Sequence, residues 1–141
     1  MADMTQYRGR LIDHVHLRVK DLAASKRFYQ AVLATLDRAV TFESEEGVAF
    51  DELWMDTADS AGPSRVHLAF QANDQDAVKR FHEAGLKAGG RDNGAPGERK
   101  YHPGYYACFL LDPDGHNIEA VFHGPSTRSA EAVVIKPTLP G

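Results

Sequence analysis

An internal repeat constrains the fold of this chain more than any other feature of its sequence. Sliding the sequence on itself by 53 residues, without a gap, gives eight identities between residues 14–33 and residues 67–86. Average residue usage gives about one identity in such a window by chance. The identical pairs include His14 with His67 and Asp21 with Asp74. The repeat therefore predicts two copies of one module.

Both copies begin with the same order of local signals. Apolar and polar residues alternate over 12–19 and over 66–72, which is typical of a strand with one buried face. Asp21 and Asp74 then supply a helix-start signal before helical spacing. Strand-like segments follow at 38–43, 48–55, 105–111 and 117–123. We predict an α+β fold in which each module is a strand, a helix and about three more strands.

Composition fits one compact domain over residues 1–141, with module one at about 11–56 and module two at about 65–123. Its 43% hydrophobic and 26% charged residues exclude disordered and fibrous classes. A net charge of −4, without a basic patch, argues against nucleic acid as a partner. No apolar run approaches the roughly 20 residues of a membrane-spanning helix. The single cysteine, Cys108, and the absence of signal-peptide features predict a cytoplasmic protein.

Two segments lack regular periodicity. Residues 85–104 are rich in glycine and proline, so we predict an irregular loop there. We expect the part over 91–104 to fold over the site and present Tyr101 or His102 to substrate as catalytic residues, although a mobile surface excursion remains the alternative. The tail at 124–141 contains three prolines and is expected to be extended or disordered, so we assign it no chemistry.

Three residues on the polar strand faces suggest a metal site. His14 and His67 lie opposite the apolar positions of their strands, and Glu119 does so in the last strand. If the two sheets lie side by side, all three point into one concavity. Two imidazoles and one carboxylate form the facial triad that holds Fe(II) or Mn(II), and the set also suits Zn or Ni. His16 shares this face, and we expect it to line the site.

Three sequence segments carry a resemblance to a known family: DHVHLRVKDL at 13–22, HLAF at 67–70 and DPDGHNIE at 112–119. They resemble the vicinal oxygen chelate superfamily, which includes glyoxalase I, fosfomycin-resistance and bleomycin-resistance proteins, and type I extradiol dioxygenases. The resemblance implies two βαβββ modules with cup-shaped mixed sheets and a divalent metal at the base. It places the metal ligands at His14, His67 and Glu119.

The resemblance leaves the rest of the site open. Glyoxalase-like members add an acid from the last strand of the first module, which here is Glu52, Asp56 or neither. We assign substrate binding to Trp54, Arg18 and Tyr106. The metal is Zn, Ni, Mn or Fe(II).

The resemblance implies a metal-dependent enzyme that acts on two adjacent oxygens of a small substrate, either lactoylglutathione lyase-like or dioxygenase-like. Extradiol enzymes usually have longer chains with four modules, and thiol transfer of the fosfomycin type expects a basic anion site near the metal. A metal-free binding protein of the bleomycin-resistance type is the alternative. By analogy we expect a homodimer in which two chains complete each cup.

Overall fold

The two helices confirm the repeat at the predicted spacing. The computed structural model describes residues 6–127 and 132–136. Helix α1 (Leu22–Ala34) and helix α2 (Gln75–Lys87) each have 13 residues and begin 75 − 22 = 53 positions apart. Asp21 and Asp74 cap them by accepting hydrogen bonds from the amides of Ala24 (3.1 Å) and Ala77 (2.7 Å). Neither helix is long and apolar enough to cross a membrane.

Module one adds four strands to α1: β2 (Val15–Val19), β3 (Phe42–Glu43), β4 (Gly47–Phe50) and β5 (Leu53–Thr57). Their order in the sheet is β2-β5-β4-β3, with β2 parallel to β5. The prediction of one strand over 48–55 is wrong, because the chain turns at Asp51, whose φ of 51° lies in the left-handed region. The predicted strand over 38–43 is reduced to the two residues of β3.

Module two repeats this arrangement around α2 with β6 (His67–Gln71), β7 (Arg91–Glu98), β8 (Tyr106–Leu111) and β9 (Asn117–Phe122), in the order β6-β9-β8-β7. The predicted irregular loop at 85–104 is partly wrong, because residues 85–87 belong to α2 and residues 91–98 form β7. This strand lies at the sheet edge, and its register with β8 shifts around Gly94 and Gly97. Edge position and bulges let a strand tolerate glycine and proline. Residues 88–90 and the hairpin connection between β7 and β8 have no helix or strand structure.

A third, two-stranded sheet joins both chain ends. Strand β1 (Gln6–Arg8) pairs antiparallel with β10 (Val133–Ile135). The tail, to which the sequence assigned no element, therefore contributes one strand. Residues 128–131 and 137–141 of the predicted tail lie outside the described residues.

The two modules pack through their helices. Helix α1 contacts α2 and β5, while α2 contacts β7, β8 and β9. Gly85 allows the close approach, because a Cβ there would lie 2.3 Å from Leu110 and 3.1 Å from Val32. Residues on the helix side of β2, such as Leu17, are fully buried, whereas His16 is exposed. The polar faces of both large sheets therefore lie away from the shared helical layer.

Candidate metal centre

The parallel pairing of β6 with β9 brings His67 and Glu119 together. His67 is the register partner of Asn117, so Glu119 lies two residues further along β9 on the same face. The Nε2 atom of His67 lies 2.8 Å from Oε1 of Glu119. The Glu119 side chain is only 2% exposed, whereas that of His67 is 51% exposed. One buried carboxylate and one accessible imidazole thus meet on the polar face of module two.

Tyr105 contacts the second oxygen of Glu119, and it was not among the candidate site residues selected from the sequence. Its hydroxyl donates a hydrogen bond to Oε2 of Glu119. Burial, the hydrogen bond to Glu119 and the charge of Glu119 raise the pKa of Tyr105 to about 12. The phenol therefore remains a protonated donor at neutral pH. The sequence offered no clear signal for Tyr105, because residues 105–111 are apolar or aromatic on both faces of the strand.

An aromatic and histidine cluster surrounds Tyr105 at the hairpin between β7 and β8. His102 stacks on His123 with ring centroids 5.1 Å apart, and their Nε2 and Nδ1 atoms are 2.9 Å apart. The ring of Tyr105 makes edge contacts with His102 at 5.4 Å and with Tyr101 at 4.9 Å. Tyr101 is 73% exposed. Both predicted catalytic residues therefore lie one ring away from the residue that contacts Glu119.

Module one carries its candidate residues on the polar face of β2 and β5. His14 is exposed, and its Nδ1 lies 2.8 Å from Oδ1 of Asp13. His16 instead contacts the opposite strand, with Nε2 at 2.6 Å from Oδ1 of Asp56. Trp54, the register partner of His16, is half-buried. The structure therefore places a second histidine–carboxylate pair on this face.

The other predicted residues of the substrate and metal sites have different environments. The Arg18 side chain is exposed on the same face of β2. Glu52 precedes β5, and its carbonyl accepts a hydrogen bond from the Val15 amide at 2.7 Å. Tyr106 is 9% exposed and packs in the core, so the hydroxyl that faces Glu119 is that of Tyr105.

Within one chain the structure brings together two of the three predicted metal ligands. Among the described residues, His14 does not join His67 and Glu119 in a group whose ligand atoms lie within 4.8 Å of one another. A carboxylate and an imidazole nitrogen 2.8 Å apart are nevertheless the donor types that divalent transition metals bind. The His67–Glu119 pair has the donor types for two positions of a metal centre.

Asp112, Asp114 and His116 do lie within 4.8 Å of one another, at the turn between β8 and β9. Asp112 accepts hydrogen bonds from the Tyr29 hydroxyl at 2.6 Å and from the His116 amide at 2.9 Å, and its Oδ2 lies 2.7 Å from Nδ1 of His116. The other ring nitrogen of His116 faces the carbonyl of Ser64. Because both nitrogens face acceptors, His116 has no lone pair for an ion.

The pKa shifts in this group agree with a charged, structural pair. The hydrogen bond to Asp112 raises the pKa of His116, against the opposing effect of burial. Burial acts to raise the pKa of Asp112, but hydrogen bonds from His116 and Tyr29 outweigh it, and the pKa is lowered. We interpret the group as a buried network that joins α1 to module two.

The fold and the His67–Glu119 pair define a class of α+β proteins built from two βαβββ modules with ligand-type side chains on open sheet faces. The chain belongs to the Glyoxalase/Bleomycin resistance protein/Dioxygenase superfamily, whose family model matches residues 11–120. This confirms the resemblance read from the sequence. No curated protein matches the chain.

Solved structures support the same family. A glyoxalase/bleomycin resistance protein from Albidiferax ferrireducens is 30% identical, with a TM-score of 0.69 over 77% of this chain and 96% of that one. A glyoxalase-related enzyme from Fulvimarina pelagi is 20% identical, with a TM-score of 0.68 over 92% and 99%. A lactoylglutathione lyase from Agrobacterium tumefaciens is 20% identical, with a TM-score of 0.55 over 79% and 92%. The latter two likenesses show the fold alone.

Proposed function

We propose that this protein is a metal-dependent enzyme of its superfamily that acts on two adjacent oxygens of a small substrate. The observation that carries the proposal is the contact of His67 with the buried carboxylate of Glu119, at 2.8 Å. Burying a carboxylate is costly unless it is paired. A divalent metal at this position would explain why a buried Glu119 carboxylate lies beside an accessible His67 imidazole.

We propose that a second chain supplies His14 and completes each centre, so that the protein works as a homodimer. The polar faces of the two modules lie on opposite sides of the helical layer in one chain. In addition, β2 and β6 are edge strands of their sheets. His14 directly precedes β2, and His67 is the first residue of β6. Exposed strand edges commonly pair with another chain. Module one of one chain against module two of the other brings His14 to His67 and Glu119.

His14, His67 and Glu119 would hold a Zn, Ni, Mn or Fe(II) ion, which would supply Lewis-acid chemistry at the substrate oxygens. Tyr105 fixes the orientation of Glu119 by donating to the oxygen that does not face His67. Tyr101 and His102 lie beside Tyr105, and we propose that they contact the substrate, with His102 moving a proton. Arg18 and Trp54 line the module-one side. A lyase of the lactoylglutathione type and a dioxygenase are the two reaction classes in the proposal.

A metal-free binding protein for a small molecule or an antibiotic is the second candidate. It is favoured by one observation, which is that His67 and Tyr105 each contact one oxygen of Glu119, so that protein groups pair with both oxygens of the buried carboxylate. We also propose a cytoplasmic location, supported by the single cysteine. Burial raises the pKa of the Cys108 thiol to about 11, so this residue remains protonated and structural.

Elemental analysis of protein purified without chelator separates the two candidates. The enzyme proposal predicts about one divalent transition metal per chain. Glu119→Gln is expected to lose the metal, because the amide cannot replace the charged ligand. Glu83→Gln, an exposed glutamate paired with Lys87, is the control and is expected to keep it. The enzyme proposal is contradicted, and the binding-protein proposal is supported, if the wild-type protein is purified without metal and binds added Mn²⁺ no better than Glu119→Gln does.

A further inference from the structure

We propose that Trp54 occupies in module one the position that Glu119 occupies in module two. The metal centre then has three protein ligands, and an aromatic wall faces the remaining coordination positions. This inference rests on the proposed function and specifies its ligand set and substrate class. It follows from combining the sequence repeat with the pairing of strands, neither of which alone identifies Trp54.

The repeat provides the first step, because the first strand and the helix of the two modules align at an offset of 53. Both helices and both capping aspartates obey this offset. Applied to the first strand of each module, it makes His14 the counterpart of His67. It likewise makes His16 the counterpart of Ala69, since 69 − 53 = 16.

Strand pairing provides the second step. In module two, Ala69 is the register partner of Glu119. In module one, the counterpart residue His16 is the register partner of Trp54. When β5 is aligned with β9 in this way, Trp54 takes the position of Glu119. By the same alignment Asp56 corresponds to Val121, two residues beyond the ligand position.

Neither candidate acid fits the fourth place. The Asp56 carboxylate is already bound to His16 at 2.6 Å. Glu52 lies before β5, in the turn that follows β4. Its counterpart by register is Asn117, two residues before Glu119 along the strand. Each acid is thus displaced by two residues, about 7 Å along a strand, from the place a ligand requires.

Trp54 instead presents a flat apolar surface. A Cβ added to Gly47 would lie 2.7 Å from the Trp54 ring, so the ring lies directly over this glycine. Phe42 packs beside it with ring centroids 6.2 Å apart. Aromatic faces bind planar, unsaturated groups by offset stacking. The substrate class is therefore a planar, conjugated molecule with two adjacent oxygen donors, rather than a flexible, saturated one.

Mn²⁺ binding measured by calorimetry tests the assignment. Trp54→Glu places a carboxylate at the fourth position and is expected to tighten Mn²⁺ binding by about tenfold or more. Trp54→Phe, which adds no ligand, is expected to bind as the wild type does. Asp56→Asn and Glu52→Gln are expected to leave the affinity unchanged. A tenfold loss in either acid variant, or no gain in a folded Trp54→Glu, overturns the assignment.

Fluorescence provides a second measurement, because Trp54 is the only tryptophan in the chain. Binding of Co²⁺ is expected to quench wild-type fluorescence, and binding without quenching overturns the assignment even if Trp54→Glu does not fold. Tropolone is planar and carries adjacent oxygens, and with Mn²⁺ present it should quench more strongly than lactate at equal occupancy. Equal quenching by the two overturns the substrate class. If the wild type binds no metal, the proposed function fails. A gain of Mn²⁺ binding in Trp54→Glu then supports only the alignment of Trp54 with Glu119.

Discussion

The Tyr29 hydroxyl tests how the two modules are held together. This side chain belongs to α1 of module one, is fully buried, and donates to Asp112 of module two at 2.6 Å. Tyr29→Phe removes the donor but leaves the ring, so the change creates almost no cavity. Asp112 retains the His116 ring and the amides of Asp114 and His116 as partners.

The expected loss of stability follows from the charge of the acceptor. Hydrogen bonds to charged groups contribute about 1.5–3 kcal/mol, and Asp112 is ionised because its pKa is lowered. We therefore expect Tyr29→Phe to lower the free energy of unfolding by about 1.5–3 kcal/mol. For a chain of this size the melting temperature falls by roughly 2–4 °C per kcal/mol.

Urea unfolding at about pH 6, followed by far-UV circular dichroism at one fixed protein concentration, measures this loss. Tyr101→Phe is the matched control, because that hydroxyl is on a ring that is 73% exposed. The control is expected to change the free energy of unfolding by no more than about 0.5 kcal/mol. A Tyr29→Phe variant that is indistinguishable from Tyr101→Phe, with an unchanged urea slope, refutes the interpretation of this network as a link between modules.

Stability should also depend on pH through the same network. The pKa of Asp112 is lowered by folding, so its contribution to stability is present above the unfolded value of about 3.9 and is lost as the pH falls through the folded pKa. The pKa of His116 is raised by folding, so its contribution is complete below about 6.5 and is lost as the pH rises through the folded pKa. A urea-midpoint profile should therefore be highest between these limits, and His116→Gln should flatten its alkaline side. Gly47→Ala should destabilise the protein and shift the Trp54 emission spectrum, because its Cβ would lie 2.3 Å from the Met55 carbonyl oxygen; a wild-type melting temperature contradicts this. Tyr105→Phe should weaken metal binding by about tenfold with little change in fold, and an unchanged dissociation constant assigns Tyr105 to packing alone. Sedimentation at micromolar concentration should give a dimer, and a clean monomer removes the shared site.

The parts of the fold that local patterns control were predictable from the sequence. The capped helices at Asp21 and Asp74 depend on neighbouring residues, and the strand containing Glu119 depends on alternation, so both could be read directly. Strand β7 could not be predicted, because its glycines normally argue against a strand. It pairs with β8 because an edge strand with bulges tolerates glycine and proline. The turn at Asp51 was also hidden, since an aspartate in the left-handed region leaves no glycine signal.

The candidate site was predictable only within a module. Alternation identified His67 and Glu119, and the structure places them in contact. The relation between modules was not predictable, because the packing of α1 on α2 depends on contacts that are distant in sequence, such as Val32 with Gly85. His14 therefore lies on the predicted face but apart from His67 and Glu119. Tyr106 was selected instead of Tyr105, because residues 105–111 are apolar or aromatic at every position and alternation does not distinguish the two tyrosines.

Mixing two inactive variants tests most directly whether two chains share one metal centre. His14→Ala and Glu119→Ala are each expected to lose high-affinity metal binding as pure proteins. When the two are unfolded together in equal amounts and refolded, half of the dimers are mixed and each mixed dimer has one intact site of two, so about a quarter of the wild-type metal content should return. A mixture that binds no more metal than the separate variants, or a His14→Ala protein that binds as the wild type does, contradicts the shared His14–His67–Glu119 centre.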